Sequence, residues 1–488
     1  MIHGRAIIDL HNNKTHRDER IVHDNMLTNW LRDSLQCASV WDKPASGAAN
    51  YSNFLLTPEQ FFGGLMMFDA QLSNDADDYL FPKPSVARMV AHGNNEAYSG
   101  ADYSRGSFNA AQSSWSNGTL TRVWDFTQEQ GNGNIASLGL CYSVFGKIGS
   151  GQPYAAEMNS VGLVNLYATY PRSETLIATM TYEQTRNVAF ADVENGTIKT
   201  FAFVNGVLKI TNALWPFMSM FNPMRVNVDV YSSQMPQWSD IMADAKTQET
   251  VDMSSDIGNI SSVSAWIDID LKKLYILANT SQWTNGQSRK LVTYDITNKT
   301  YTVQTVTNNT GATLNYLQSP NVILGGQFAV SNNVLYICGY NNKYVYYINL
   351  SDNTDCGRVT MIDGGDFEMT SASASNNGQF FQYGPFLICA GSIAVSNLNY
   401  TSRSFILDNK KAFNINLVAP NDTASGSYQL QSGYYNKAKM LIAPTTSNQG
   451  AFGYCRVPCL STKNNLESAV TKTADMTMRV TYTVTDSE

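Results

Sequence analysis

"KLYILA" (Lys273–Ala278), followed after a polar loop by "VTYDITNKTY" (Val292–Tyr301), shows the unit on which the fold turns. A short apolar strand is joined to a second strand that ends in a turn rich in Asp, Asn or Lys. The pattern recurs as "VLYICG" with "VYYINLSDNT", "FLICAG" with "SFILDNKKAF", "KMLIAP" with a weaker "GYCRVPCLST", and upstream as "TLIATM" with "VAFADVENGT". The central residues Ile177, Ile276, Ile337, Ile388 and Ile442 are 99, 61, 51 and 54 residues apart. The first gap is about twice the others, which predicts a degenerate unit near "MRVNVDVYSS" (Met224–Ser233). A period of roughly 40 to 50 residues with several short strands per repeat is the signature of a β-propeller. About six blades are expected over residues 161–460. A long β-sandwich or stacked hairpins would also give alternating strands; the approximate period favours the propeller.

Composition agrees with an all-β chain. Of 488 residues 43% are apolar, ample for packed cores, while only 15% are charged, below the roughly 25% usual for soluble proteins. Asn, Ser, Thr, Gly and Tyr replace the missing charge, and these suit turns and strands. A net charge of −7 argues against electrostatic capture of nucleic acid. No apolar run approaches the ~20 residues of a membrane-spanning helix, and the first residues lack the apolar region of a secretion signal. Membrane insertion and export by the usual route are therefore not expected.

The flanks of the repeats read differently. "IHGRAIIDLHNN" and "RDERIVHDNM" form an expected hairpin, with Ala6, Ile8 and Leu10 alternating against Arg5, Ile7 and Asp9. In "DNMLTNWLRDSL", Leu27, Trp30, Leu31 and Leu35 fall at helical spacing, so a short helix over about 25–36 is predicted, capped by Asp24 or Asn25. "TLTRVWDFT" and "GNGNIASLGLCYSVFGKIG" read as two further strands. "MTMRVTYTVT" alternates Met476, Met478, Val480, Tyr482 and Val484 against Thr and Arg. A lone strand is unstable, so this one is expected to return to the N-terminal part. The resulting organisation is a β-sandwich-like domain over 1–160, completed by the C-terminal strand within 461–488, with the propeller as an insertion.

Candidate chemistry is sparse. The five histidines are His3, His11, His16, His23 and His92, so residues 93–488 can hold neither a histidine-based relay nor a histidine-ligated metal. Of the seven cysteines, Cys455 and Cys459 in "CRVPC" lack the spacing and neighbouring histidine of a zinc site, and a structural role is expected. The acids Asp69, Asp75, Asp77 and Asp78 in "FFGGLMMFDAQLSNDADDYLFP" fail the calcium-loop template, lacking its central Gly and terminal Glu. They are expected to solvate and cap a loop that "FPKP" stiffens; whether they hold a metal ion is open. Asp268 and Asp270 in "WIDIDLKK" could form a glycosidase pair or simply end a strand.

The segments "GRAIIDL", "DNMLTNWLRD", "FGGLMMFD", "FPKPSVARMVAHGN", "TRVWDFTQEQGNGNIASLGLCYS" and "NNLESAVTKTADMTMRVTYTVT", in that order, resemble the frame of virion proteins from tailed bacteriophages infecting gut and related bacteria: tail-fibre, baseplate or neck-appendage components. The resemblance covers about residues 1–150 and 460–488. It implies a non-enzymatic, homo-oligomeric virion protein with no cofactor, partnered by other virion proteins, whose N-terminal domain attaches to the particle and whose middle domain varies with the host. "FGGLMMFD" would then be a core strand. A propeller-type glycan depolymerase and a collar or decoration protein without host ligand are the alternatives. Equivalent loops of successive blades, Asn279–Gln287, Gly339–Tyr344 and Gly391–Ser402, are expected on one face, where Trp283, Tyr340 and Tyr344 could stack on a bacterial surface glycan. The plainer reading is polar turns with Trp283 folded onto its own blade.

Overall fold

The computed structural model describes residues 2–29, 31, 62–101, 103–141, 147–148, 152–153, 176–180, 188–192, 197–214, 245–258, 260, 263–268, 271–278, 282–314, 328–339, 344–362, 364, 367, 379–383, 386–390, 404–415, 435–436, 439–442, 450–456 and 459–486. The chain is nearly all β and divides into two units. One comprises Met1–Tyr167, Ile415–Asn421 and Pro458–Glu488; the other comprises Ala168–Asn414 and Asp422–Val457.

The first unit begins with β1 (Ile2–Asn12), β2 (Arg17–Asp24), β3 (Met26–Leu27), β4 (Gly64–Phe68), β5 (Met89–Gly93), β6 (Ser107–Phe108), β7 (Ser114–Ser116), β8 (Thr119–Phe126) and β9 (Gly133–Cys141). The small pair β10 (Lys147–Ile148) and β11 (Gln152–Pro153) follows. Its last two strands, numbered β33 (Thr462–Lys472) and β34 (Met476–Asp486), come from the far end of the chain. They form a hairpin in sequence but enter different sheets. β34 lies between β1 and β8 in the sheet ordered β2-β1-β34-β8-β6, with β7 also on β8; β33 lies between β3 and β9 in the sheet β3-β33-β9-β4-β5.

Alternation explains which residues face inward. Ala6, Ile8 and Leu10 of β1, Met478, Val480, Tyr482 and Val484 of β34, and Leu120, Trp124 and Phe126 of β8 are all buried. The β1–β34 register sets Ala6 opposite Tyr482 and Ile8 opposite Val480, so these side chains share one face. In the other sheet every residue of β4 is buried, as its apolar run requires. Gly93 of β5 accommodates the Trp124 ring: a Cβ there would lie 2.5 Å from the indole. A polar relay crosses the unit. Leu140 N–H donates to Thr462 Oγ1 (3.0 Å), the Thr462 hydroxyl to the Tyr482 oxygen (2.6 Å), Tyr482 to Asn464 Oδ1, and Asn464 Nδ2 to the His23 carbonyl (3.2 Å).

Most of the expected helix over 25–36 lies outside the described residues. Met26–Leu27 is strand rather than helix and pairs with β33. Asn29 and Leu31 are helical, and the Leu31 N–H meets Thr28 Oγ1 at 3.4 Å, so the capping side chain is Thr28, not Asp24 or Asn25.

The second unit repeats a four-stranded antiparallel meander. β13 (Val188–Asp192), β14 (Thr197–Val204), β15 (Val207–Leu214) and β16 (Ala245–Asp252) make one sheet, and the short helix α1 (Ser254–Ile257) follows it. The next is β17 (Val263–Asp268), β18 (Lys273–Ala278), β19 (Ser288–Asp295) and β20 (Thr300–Thr307). Then come β21 (Phe328–Ser331), β22 (Val334–Cys338), β23 (Val345–Asn349) and β24 (Cys356–Arg358). In the fourth, β25 (Thr360–Met361) adds in parallel to the outer edge of a meander formed by β26 (Gln379–Tyr383), β27 (Phe386–Ala390), β28 (Ser404–Asp408) and β29 (Lys411–Ile415).

The last sheet closes the series. β12 (Leu176–Met180), from the start of the unit, pairs with β32 (Gly450–Arg456), which continues through β31 (Lys439–Ile442) to β30 (Tyr435–Asn436). The first strands β13, β17, β21 and β26 follow one another side by side, the arrangement of propeller blades. Two-residue turns with positive φ at both positions, Asn205-Gly206, Asn332-Asn333 and Asn409-Lys410, join strands within the sheets. These are the primed turns that match strand twist, and Asn and Gly tolerate the left-handed backbone.

"TLIATM" and "KMLIAP", which spacing separates into two units, are therefore β12 and β31 of one sheet. The described residues hold five repeats where about six were expected. "KLYILA", "VLYICG" and "FLICAG" are second strands of their sheets, and "VAFAD" is a first strand. The segment Met224–Ser233 lies outside the described residues, between β15 and β16. A continuous core runs through the repeats, including Trp266, Leu277, Phe328, Leu335, Ile337 and Phe405.

Candidate functional site

Strand register builds a row of charges on the outer face of the first sheet. Arg20 of β2 stands opposite Asp9 of β1, Asp9 opposite Arg479 of β34, and Arg479 opposite Asp125 of β8. The signs alternate across four strands that are separated by more than 450 residues of sequence at their extremes. Arg479 Nε is 2.6 Å from Asp125 Oδ1, Arg20 Nε is 3.5 Å from Asp9 Oδ1, and Asn109 Nδ2 donates to Asp125 Oδ2 at 2.7 Å. One row further along, His11 Nδ1 lies 2.7 Å from Asp18 Oδ1. In the opposite direction comes an apolar row containing Ile7 and Val22, the latter 49% exposed, and then the Arg5–Asp24 pair at 2.9 Å. The charged row borders a cleft of about 640 Å³ whose lining includes Asp9, Asp18, Arg20, Asp125 and Arg479. Because each charge there already faces an opposite one, the surface suits a partner of matching alternation rather than a single anion or cation.

The acidic loop is held from a distance. The ammonium of Lys463, on β33 and buried, donates to the carbonyls of Ser73 (2.7 Å), Asp75 (2.6 Å) and Asp78 (2.8 Å). Asn465 clamps the same loop, accepting from Leu72 N–H and donating to Leu72 O and Asn74. Burial lowers the Lys463 pKa, against the raising effect of Asp78 and Asp75. Three of the loop's carbonyls thus converge on one lysine ammonium. Asp69 is bound to Arg88 at 2.8 Å, and Asp77 accepts from Asn29. Among the described residues no cluster of three or more His, Cys, Asp or Glu side chains has metal-binding geometry.

In the second unit the structure corrects the reading of Trp283 as a stacking platform. Its side chain is completely buried, its indole N–H donates to the Gln287 carbonyl at 2.8 Å, and its backbone pairs with Leu314. Leu314 also bridges Gly339, so two of the three expected loops do come together. Tyr344 is half-buried beneath the Arg358 guanidinium, 3.9 Å from its ring centroid, and its carbonyl accepts from Gly339. Tyr340 and the loop Gly391–Ser402 lie outside the described residues.

Acids of this unit serve turns. Asp268 Oδ1 accepts from Leu271 N–H at 3.0 Å, and Asp270 lies outside the described residues. Hydrogen bonds from Ser254, Asn298 and Thr354 hold Asp252, Asp295 and Asp352 below the usual carboxylate range, as Lys410 does for Asp355 and Lys299 for Glu249. A glycosidase acid needs the opposite shift. Burial pushes up the thiols of Cys141, Cys389 and Cys459, which suppresses the nucleophilic thiolate. Cys141, Cys338, Cys356, Cys389 and Cys459 form no disulfide, and no described helix is long and apolar enough to cross a membrane.

No family model matches the sequence, and no curated protein matches it. Among solved structures, the chain is similar to apo AztD from Citrobacter koseri (9% identity, 86% of this chain and 96% of that one, TM-score 0.23). It is similar to TolB from Acinetobacter baumannii (11% identity, 55% and 66%, TM-score 0.22) and to the AfRom2 CNH domain (10% identity, 55% and 79%, TM-score 0.20). Likenesses at these scores support no inference about this chain; its architecture is read from its own strand pairing.

Proposed function

We propose that the chain is a non-enzymatic structural component of a tailed-bacteriophage virion, a tail fibre or a tail or neck appendage. Its first unit joins other virion proteins and its middle unit is presented outward, toward the bacterial surface. The observation that carries this reading is where the phage-like segments fall. "GRAIIDL" is on β1, "FGGLMMFD" on β4, "TRVWDFT" on β8, "GNIASLGLC" on β9, and the closing segment on β33 and β34. They interlock in one unit, so the sequence between them can vary while the frame is kept. The alternating-charge face adds a surface of the kind that fixes register between protein neighbours. Immunogold labelling of purified particles tests the proposal. Label at the tail or neck is expected; particles in which neither labelling nor mass spectrometry detects the chain would overturn it.

A further inference from the structure

We infer that β2 is a self-association edge: two copies of this chain join β2 to β2, antiparallel and centred on Val22. The inference stands apart from the virion reading, because it concerns the isolated full chain. β2 ends its sheet, and among the described residues only β1 pairs with it. The phase of that pairing fixes which backbone groups are left over. Asn25 N–H donates to Gly4 O, in step with Arg5 opposite Asp24. Hydrogen-bonded positions alternate along an antiparallel pair, so His23, Ile21 and Glu19 turn their N–H and C=O groups toward β1. Asp24, Val22, Arg20 and Asp18 turn theirs outward, the Asp24 carbonyl already meeting His23 Nδ1 at 2.7 Å and keeping one lone pair for a strand partner.

An incoming antiparallel strand must match outward residues to outward residues, which leaves few two-fold registers. Centring on Arg20 sets Arg20 against its own copy. Centring on Ile21 sets Asp18 against Asp24 of the other copy. Like charges directly opposite are unfavourable. Centring on Val22 sets Arg20 against Asp24 twice and joins the two exposed Val22 side chains, each flanked by Ile7 of its own copy.

That register also extends the row already present. Asp125, Arg479, Asp9 and Arg20 of one protomer would continue into Asp24 and Arg5 of its partner with no break in the alternation of sign. Charged residues on an exposed edge normally prevent pairing; here they favour the register centred on Val22, which alone sets Arg20 against Asp24. The exposed ion pairs supply specificity more than affinity, so the association is expected to weaken with salt.

Sedimentation of the full chain at micromolar concentration tests this, with circular dichroism confirming that each variant is folded. The wild type is expected to be a dimer. Arg20→Asp, which opposes two acids at both symmetry-related sites, is expected to weaken the dimer at least tenfold, and the swap R20D/D24R to restore it. V22P removes an outward donor without touching the β1 ladder and should give a monomer. Val22 opposite Val22 in a hydrogen-bonded position places the Cα atoms about 5.5 Å apart, within disulfide reach. V22C should therefore link on oxidation, whereas V86C, at a still more exposed loop residue, should not. A monomeric wild type, a dimer indifferent to both R20D and V22P, or V22C linking no faster than V86C would each overturn the inference.

Discussion

Removing one oxygen atom tests how the first unit is held together. In Tyr482→Phe the ring stays between β1 and β8, but the hydroxyl that accepts from Thr462 and donates to Asn464 is lost. Both partners are buried, at 0% and 1% exposure, so water cannot replace the bond without the strands opening. Each orphaned buried group costs about 1–3 kcal/mol, giving about 2–6 kcal/mol in all. Burial raises the Tyr482 pKa, so the hydroxyl remains a donor at any ordinary pH and the loss is pH-independent. Hydrogen exchange of the β1 and β34 amides is the suitable assay, because the two units need not unfold together and a single global midpoint would mix them. A loss of 2 kcal/mol appears as roughly 30-fold faster exchange. Since Asn464 acts through the same relay, Y482F/N464L should cost little more than Y482F alone. Exchange within about twofold of wild type would show that the relay is incidental to the closing strand.

Three further perturbations follow from other contacts. A methyl at Gly139 would lie 2.3 Å from the Thr462 carbonyl, so G139A should force β9 from β33 and cost about 3 kcal/mol; a thermal midpoint for the first unit within a degree or two of wild type would contradict this. Lys463→Met leaves three loop carbonyls without their common donor, and proteolysis within residues 73–79 should accelerate; an unchanged cleavage rate would mean that Asn465 alone holds the loop. Lys472 is buried, and desolvation pulls its pKa down to about 8 from 10.5. Between those values the unfolded chain keeps a proton that the folded chain has released, so this group's contribution to stability rises with pH across the window. K472M should therefore melt higher than wild type at pH 7. Its lost partners, Gln128 and Asn132, are exposed and can bond water. The advantage should fade toward pH 10, and a difference that does not vary with pH would refute the desolvation account.

What the sequence disclosed was whatever a short window contains. Alternation in β1 and β34 announced their buried faces, because side chains on a strand repeat every second residue. It also announced that β34 needed a sheet, though not that it would lie between β1 and β8. Spacing between apolar strands revealed a repeat but misplaced β12, since a strand that closes a series resembles any other strand locally. Helical spacing over Leu27–Leu35 missed the strand at Met26–Leu27, which exists because β33 pairs with it. Trp283 in its polar loop was open to two readings, a stacking platform or a ring folded onto its own blade, and its burial beside the bridge to Leu314 supports the second. Asp9 opposite Arg20 could have been inferred from the hairpin turn, but Arg479 and Asp125 join that row through register set across the whole chain. The acidic loop was read correctly as a capped loop, while its anchor at Lys463 carries no local signal.

The position of β34 also imposes an order on biosynthesis. The hairpin β1–β2 and strand β8 are made well before the strand that lies between β1 and β8, which is separated from β8 by roughly 350 residues. At about 5–20 residues per second, a ribosome needs about 20–70 s to bridge that interval. Throughout it, β1 and β8 present unpaired edges on the nascent chain while the repeats of the second unit, whose pairings are mostly local, can already form. The first unit is therefore exposed to chaperones and to neighbouring nascent chains throughout that interval, and its sheet can close only once β34 has been made.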